Sequence, residues 1–92
     1  MNNRIESFKN YVKYTDIISV GGCEYQYNTT DSEGWTYWKQ LGEGNDLGLR
    51  LVSMEWYDHD QWNDGVEFKF HTGYKLYLIR AKEHHPLLSQ GV

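Results

Sequence analysis

VEFKFHTGYKLYLIRA, running from Val66 to Ala81, decides how this chain is read. Val66, Phe68 and Phe70 alternate with Glu67, Lys69 and His71, the period of two that sends one set of side chains to a core and the other to solvent. Thr72-Gly73 then separates a second run, Tyr74 to Ala81, at the spacing of a tight hairpin. Just ahead of this pair, Asn63-Asp64-Gly65 carries the residue types of a turn.

The same period recurs upstream. Cys23, Tyr25 and Tyr27 alternate with Glu24, Gln26 and Asn28, which predicts another strand. Leu47 to Tyr57 is strand-like, but its apolar phase slips from Leu47, Leu49 and Leu51 to Val52, Met54 and Trp56, as a bulge near Val52 would make it. Trp35 to Leu41 reads as a further short strand, and Gly42, Gly44 and Gly48 make the connection after it a loop. Only the N-terminus departs from the pattern. There Asn3 with Glu6 resembles a capping box, and Ile5, Phe8 and Val12 follow at helical spacing, so a helix is predicted over residues 3–14. The expectation is an α+β fold, with one N-terminal helix packed on an antiparallel sheet of four or five strands.

At 92 residues the chain has room for a single domain spanning 1–92 and a modest core. Four tryptophans and eight tyrosines supply the bulky apolar area that a small core needs. Cys23 is the only cysteine, so no internal disulfide forms and a reducing, cytoplasmic compartment is expected. No basic-then-apolar leader and no run of 18 apolar residues is present, which predicts neither secretion nor contact with a membrane.

Charge is segregated along the chain. Residues 1–15 carry Arg4, Lys9 and Lys13 against Glu6, and residues 68–92 carry Lys69, Lys75, Arg80 and Lys82 against Glu83. Between them, residues 16–67 hold eleven acids against Lys39 and Arg50, a net −9 within a chain of net −4. Such asymmetry speaks of partners: it argues against direct nucleic-acid binding by the middle of the chain and for a basic partner there. Same-face carboxylates on one strand lie about 6.6–6.8 Å apart. Each strand of duplex DNA presents a charge every ~3.4 Å. A single row therefore falls short of a phosphate row by about half, and two neighbouring strands or two subunits would approach it. The plainer reading is that these acids are the solvated face of a sheet.

Catalytic and metal chemistry finds little support. Asp58-His59-Asp60 with Asp64 has the right donor types for a divalent cation, but counted from Asp58 a calcium loop fails where it meets Trp62, Asn63 and Lys69. His84-His85-Pro86 places two imidazoles side by side, a poor arrangement for one ion. Cys23 lies in an alternating aromatic run and has no base nearby to activate it. Gly21-Gly22 and Gly42-Glu43-Gly44 lack the Lys and following helix of a phosphate cradle and read as turns. No enzyme activity, metal or cofactor is expected. Trp35, Tyr37 and Trp38, or Trp56, Tyr57 and Trp62, are candidate stacking platforms for sugars or bases, or else core and interface residues. Single-stranded nucleic acid wants cations beside such rings, and here the neighbours are mostly acids, which favours a sugar.

A cysteine-poor chain of this size, with a carboxylate-studded, aromatic-rich sheet and basic ends, resembles the small early antirestriction proteins of T-even phages. The resemblance is one of whole-chain size, composition and charge layout. It implies a homodimeric DNA mimic in the cytoplasm of an infected bacterium, occupying the DNA-binding surfaces of basic host proteins. The implied targets are the restriction nuclease McrBC and the nucleoid protein H-NS. The candidate phosphate surrogates are Glu24, Asp31, Glu33, Glu43, Asp46, Glu55, Asp58, Asp60, Asp64 and Glu67. The alternative is a carbohydrate- or peptide-binding module that uses the aromatic surface.

Overall fold

In the computed structural model, which describes residues 3–82, the chain forms α1 (Asn3–Tyr11), β1 (Ile17–Val20), β2 (Cys23–Thr30), β3 (Trp35–Gln40), β4 (Leu47–Tyr57), β5 (Asn63–Phe70) and β6 (Lys75–Ala81). The strands lie in chain order in one antiparallel sheet. The protein is mostly β: six strands curl into a nearly closed, barrel-like sheet with one short helix. This corrects the expected α+β fold of one helix on four or five strands.

The additional strand is β1. Ile17, Ile18 and Val20 are β-branched, and Gly21 and Gly22 supply the positive φ angles (61° and 84°) of a two-residue hairpin that pairs Val20 with Cys23. Four residues directly after a helical pattern are too few for the period of two to register. The helix is also shorter than predicted, ending at Tyr11 instead of residue 14. Lys13 donates its backbone N–H to Asp16 Oδ2 at 2.8 Å, and Asp16 returns a backbone bond to Lys13, so a turn replaces the last helical turn. The Asn3 side chain and the His84-His85-Pro86 segment lie outside the described residues.

The curl comes from the bulge predicted at Val52. Residues 47–50 of β4 pair with β3, residues 51–57 pair with β5, and the register shifts between Leu51 and Ser53. An extra residue on one strand bends it and increases its twist, so β4 turns a corner and serves two halves of the sheet. A second register shift, between Tyr27 and Thr29, bends β2 in the same way. The sheet thereby brings β1 back towards β6, although the two share no ladder. Side chains span the seam: Arg80 Nη2 donates to Asp16 Oδ2 at 2.7 Å, and Arg80 Nε donates to the Tyr11 carbonyl at 3.0 Å.

Ile5, Phe8 and Val12 are buried as their spacing requires, Val12 just past the helix end. Phe8 meets Tyr27, Phe68 and Phe70 edge-on, the closest centroid separation being 4.8 Å. A helix of nine residues has little stability of its own; this packing holds it. Trp38 is fully buried, and its Nε1–H donates to Thr36 Oγ1, which in turn donates to the Leu49 carbonyl, so both polar groups are satisfied in the core.

One predicted turn is misplaced. Asn63-Asp64-Gly65 forms the first three residues of β5, and the reversal lies earlier, over residues 58–62. Gly65 leaves room for the end of the Tyr77 side chain, which a Cβ there would push aside. A bare glycine covered by a cross-strand aromatic is a recognised use of glycine in sheets.

Candidate functional site

The outward faces of β4, β5 and β6 line up in rows. Ser53, Lys69 and Lys75 form one; Glu55, Glu67 and Tyr77 form the next; Tyr57, Gly65 and Ile79 form the third. Alternation produces this order, because the intervening Phe68, Val66, Leu76 and Leu78 point into the core. Tyr57, Tyr77 and Ile79 are 44%, 43% and 42% exposed, so an apolar and aromatic surface lies open beside two carboxylates. The tyrosine rings stand 5.9 Å apart, and His59 Nδ1 lies 3.2 Å from the Tyr77 hydroxyl.

Glu55 and Glu67 sit directly opposite each other. Like charges at facing positions destabilise a sheet, and among the described residues no cation comes within ion-pair distance of either. The nearest same-face cation along β5, Lys69, belongs to the next row, about 6.6–6.8 Å along the strand. Tyr57 donates its hydroxyl to Glu55 Oε1 at 2.8 Å, and that bond, with partial desolvation and the neighbouring carboxylates, raises the phenol above its ordinary value. The hydrogen bond fixes one carboxylate without neutralising it.

The predicted phosphate surrogates divide at the corner in β4. Glu24, Asp31, Glu33, Glu43 and Asp46 belong to the β1–β4 half and its loops, while Glu55, Asp58, Asp60, Asp64 and Glu67 belong to the β4–β6 half. Several have structural duties. Asp31 Oδ1 accepts from the N–H groups of Glu33 and Trp35, and Oδ2 accepts from the Tyr37 hydroxyl. Against a desolvation that acts to raise it, these bonds hold the Asp31 carboxyl below the usual carboxylate range. Asp60 is likewise lowered, first by the Trp62 N–H and then by the side chain and N–H of Asn63, and so closes the 58–62 turn.

Two cations of the C-terminal segment, Arg80 and Lys82, fold onto acids. Lys82, its side chain only 7% exposed, bonds Asp58 Oδ1 at 2.5 Å and approaches Asp64 at 3.9 Å. The hydrogen bond to Asp58 raises the Lys82 ammonium above its ordinary value. The Asp58-His59-Asp60 candidate metal site is thus committed to turn closure and ion pairing, and no described group of three or more metal-ligating side chains converges.

The two aromatic platforms also separate. Trp38 is core, whereas Trp35 and Tyr37 lie half-buried on the outer face of β3. Trp56 turns towards Tyr11 of α1, leaving Tyr57 on the outer face and Trp62 exposed in the turn. Tyr77 and Ile79 were not singled out from the sequence; alternation against Leu76 and Leu78 is the signal that places them beside Glu67. No described helix is long and apolar enough to cross a membrane. No family model, no curated protein and no solved structure matches this chain.

Proposed function

We propose that this is a non-catalytic binding protein whose acidic and aromatic β4–β6 face holds a basic segment of a DNA-binding protein in competition with DNA. The observation that carries the reading is the facing pair of Glu55 and Glu67, which has no ion-pair partner among the described residues and lies between two open tyrosines. A charge arrangement that weakens the sheet and has no internal compensation is the kind of local conflict a binding surface retains. Carboxylates fixed on a sheet require no ordering at encounter, and exposed tyrosine faces accept Lys and Arg side chains. The host setting implied by the antirestriction resemblance, a restriction nuclease or a nucleoid protein, is where such a decoy would act.

The test is displacement. A fluorescent DNA duplex is loaded onto a basic DNA-binding domain at low salt, and this protein is titrated in. Release of the duplex, reversed by excess duplex and lost with added salt, is the expected result. Failure to release it at any ratio, or equal release by a Glu55→Gln/Glu67→Gln double variant, would overturn the assignment.

A further inference from the structure

Proteins hold single-stranded nucleic acid by stacking bases on aromatic rings placed beside cations that meet the phosphates. Along the linear sequence Trp35 has acids close by, Asp31 and Glu33, and a single cation, Lys39, four residues on. Folding brings others. Trp35 pairs directly with Arg50 across β3 and β4, and its ring lies 5.1 Å from the ring of His71. The indole lies over Gly48, in ordinary contact range of that residue.

His71 is fixed in the same place by two bonds to one residue. Its N–H donates to the Arg50 carbonyl at 2.8 Å, and its Nδ1 accepts the Arg50 N–H at 3.1 Å. With Nδ1 occupied as an acceptor, the neutral ring carries its proton on Nε2, which is left as a donor. Two residues back along β5 stands Lys69, and Lys75 faces it on β6. Arg50, Lys69 and Lys75 are exposed and have no ion-pair partner among the described residues. A second like-charge pair, Lys69 opposite Lys75, therefore lies one row from the glutamates.

We propose that this strip is a binding site for a short single-stranded nucleic-acid segment, with a base stacked on Trp35 and phosphates on Arg50, His71 and Lys69. It reverses the expectation that the chain meets no nucleic acid directly, because the cations that recruit phosphate come from β4, β5 and β6 and not from the neighbourhood of Trp35 in sequence. Asp31 and Glu33 bound the strip beyond Trp35, and Glu67 bounds it beyond Lys69. Those carboxylates restrict the footprint to a few nucleotides and repel the second strand of a duplex. The site shares no residue with the Glu55–Tyr57–Tyr77 surface, so its failure would leave that assignment standing.

The test is fluorescence anisotropy of a labelled oligothymidylate with the full chain at low salt, beside the same label on a duplex. Saturable binding of the single strand, weaker binding of the duplex and loss of affinity with salt are expected. Trp35→Leu should weaken binding by about tenfold, the scale of one lost base–aromatic stack. Arg50→Gln and Lys69→Gln/Lys75→Gln should each weaken it while leaving the circular dichroism unchanged, which covers the case that Trp35→Leu disturbs folding. Absence of binding, equal affinity for duplex, or an Arg50→Gln variant that binds like the parent would overturn the proposal.

Discussion

Asp31 and Asp60 show how much a carboxylate's role depends on the N–H groups that reach it. Both read as solvated charges in sequence, yet each gathers the amides of the following residues into a turn. Their depressed folded-state values fix the sign of the pH response. Stability from such a group is fully present above its unfolded value, near 3.8, and is lost as pH falls through the lower folded value. Thermal melts should therefore fall steeply below about pH 4, and Asp31→Asn or Asp60→Asn should lower the melt at neutral pH while flattening that acid limb. A parent curve that stays level to strong acid would contradict this. In the core, Thr36→Val keeps the shape but strands the Trp38 N–H, so a loss of about 1–3 kcal/mol is expected in urea unfolding.

At the scale of elements, β4 and β5 carry most of what sequence can and cannot convey. The bulge at Val52 was legible because it leaves a trace in the apolar phase, and the β5–β6 hairpin because both strands alternate over a Thr-Gly turn. β1 was not, being a four-residue strand whose only advertisement is the Gly-Gly turn behind it. Asn63-Asp64-Gly65 misled because glycine serves turns and close packing alike, and only the fold puts Tyr77 over Gly65. Gly65→Ala should keep the strand, since the far end of the Tyr77 side chain can swing aside, but it should move that ring off the acidic face. Weakened partner displacement with a nearly unchanged melt is the expected signature. Glu55→Gln should do something a purely structural residue would not: raise stability by about 0.2–1 kcal/mol by removing a facing like charge, while weakening displacement.

For the whole molecule, the decisive step is the return of the C-terminal cations. Residues 68–92 are net basic in sequence, but the pairing of β6 with β5 sets Lys82 beside Asp58 and Asp64, and the nearly closed sheet brings Arg80 across the seam to Asp16. No local pattern encodes that closure, because it depends on how far two bulges curl the sheet. Arg80 is the sharpest probe of it. Its guanidinium ties β6 both to the end of α1, through the Tyr11 carbonyl, and to the residue before β1, through Asp16. Arg80→Gln loses the charge and at least one of these bonds and leaves Asp16 partly buried without its cation, a loss of about 1–3 kcal/mol. If the seam is held by side chains alone, the loss should be local before it is global. Hydrogen exchange should quicken in β1 and at the end of α1, while the central β4–β5 ladder keeps its protection until global unfolding. Uniform acceleration across all six strands would mean instead that β1 and β6 are no weaker a junction than the ladders, and that the sheet behaves as a fully closed barrel.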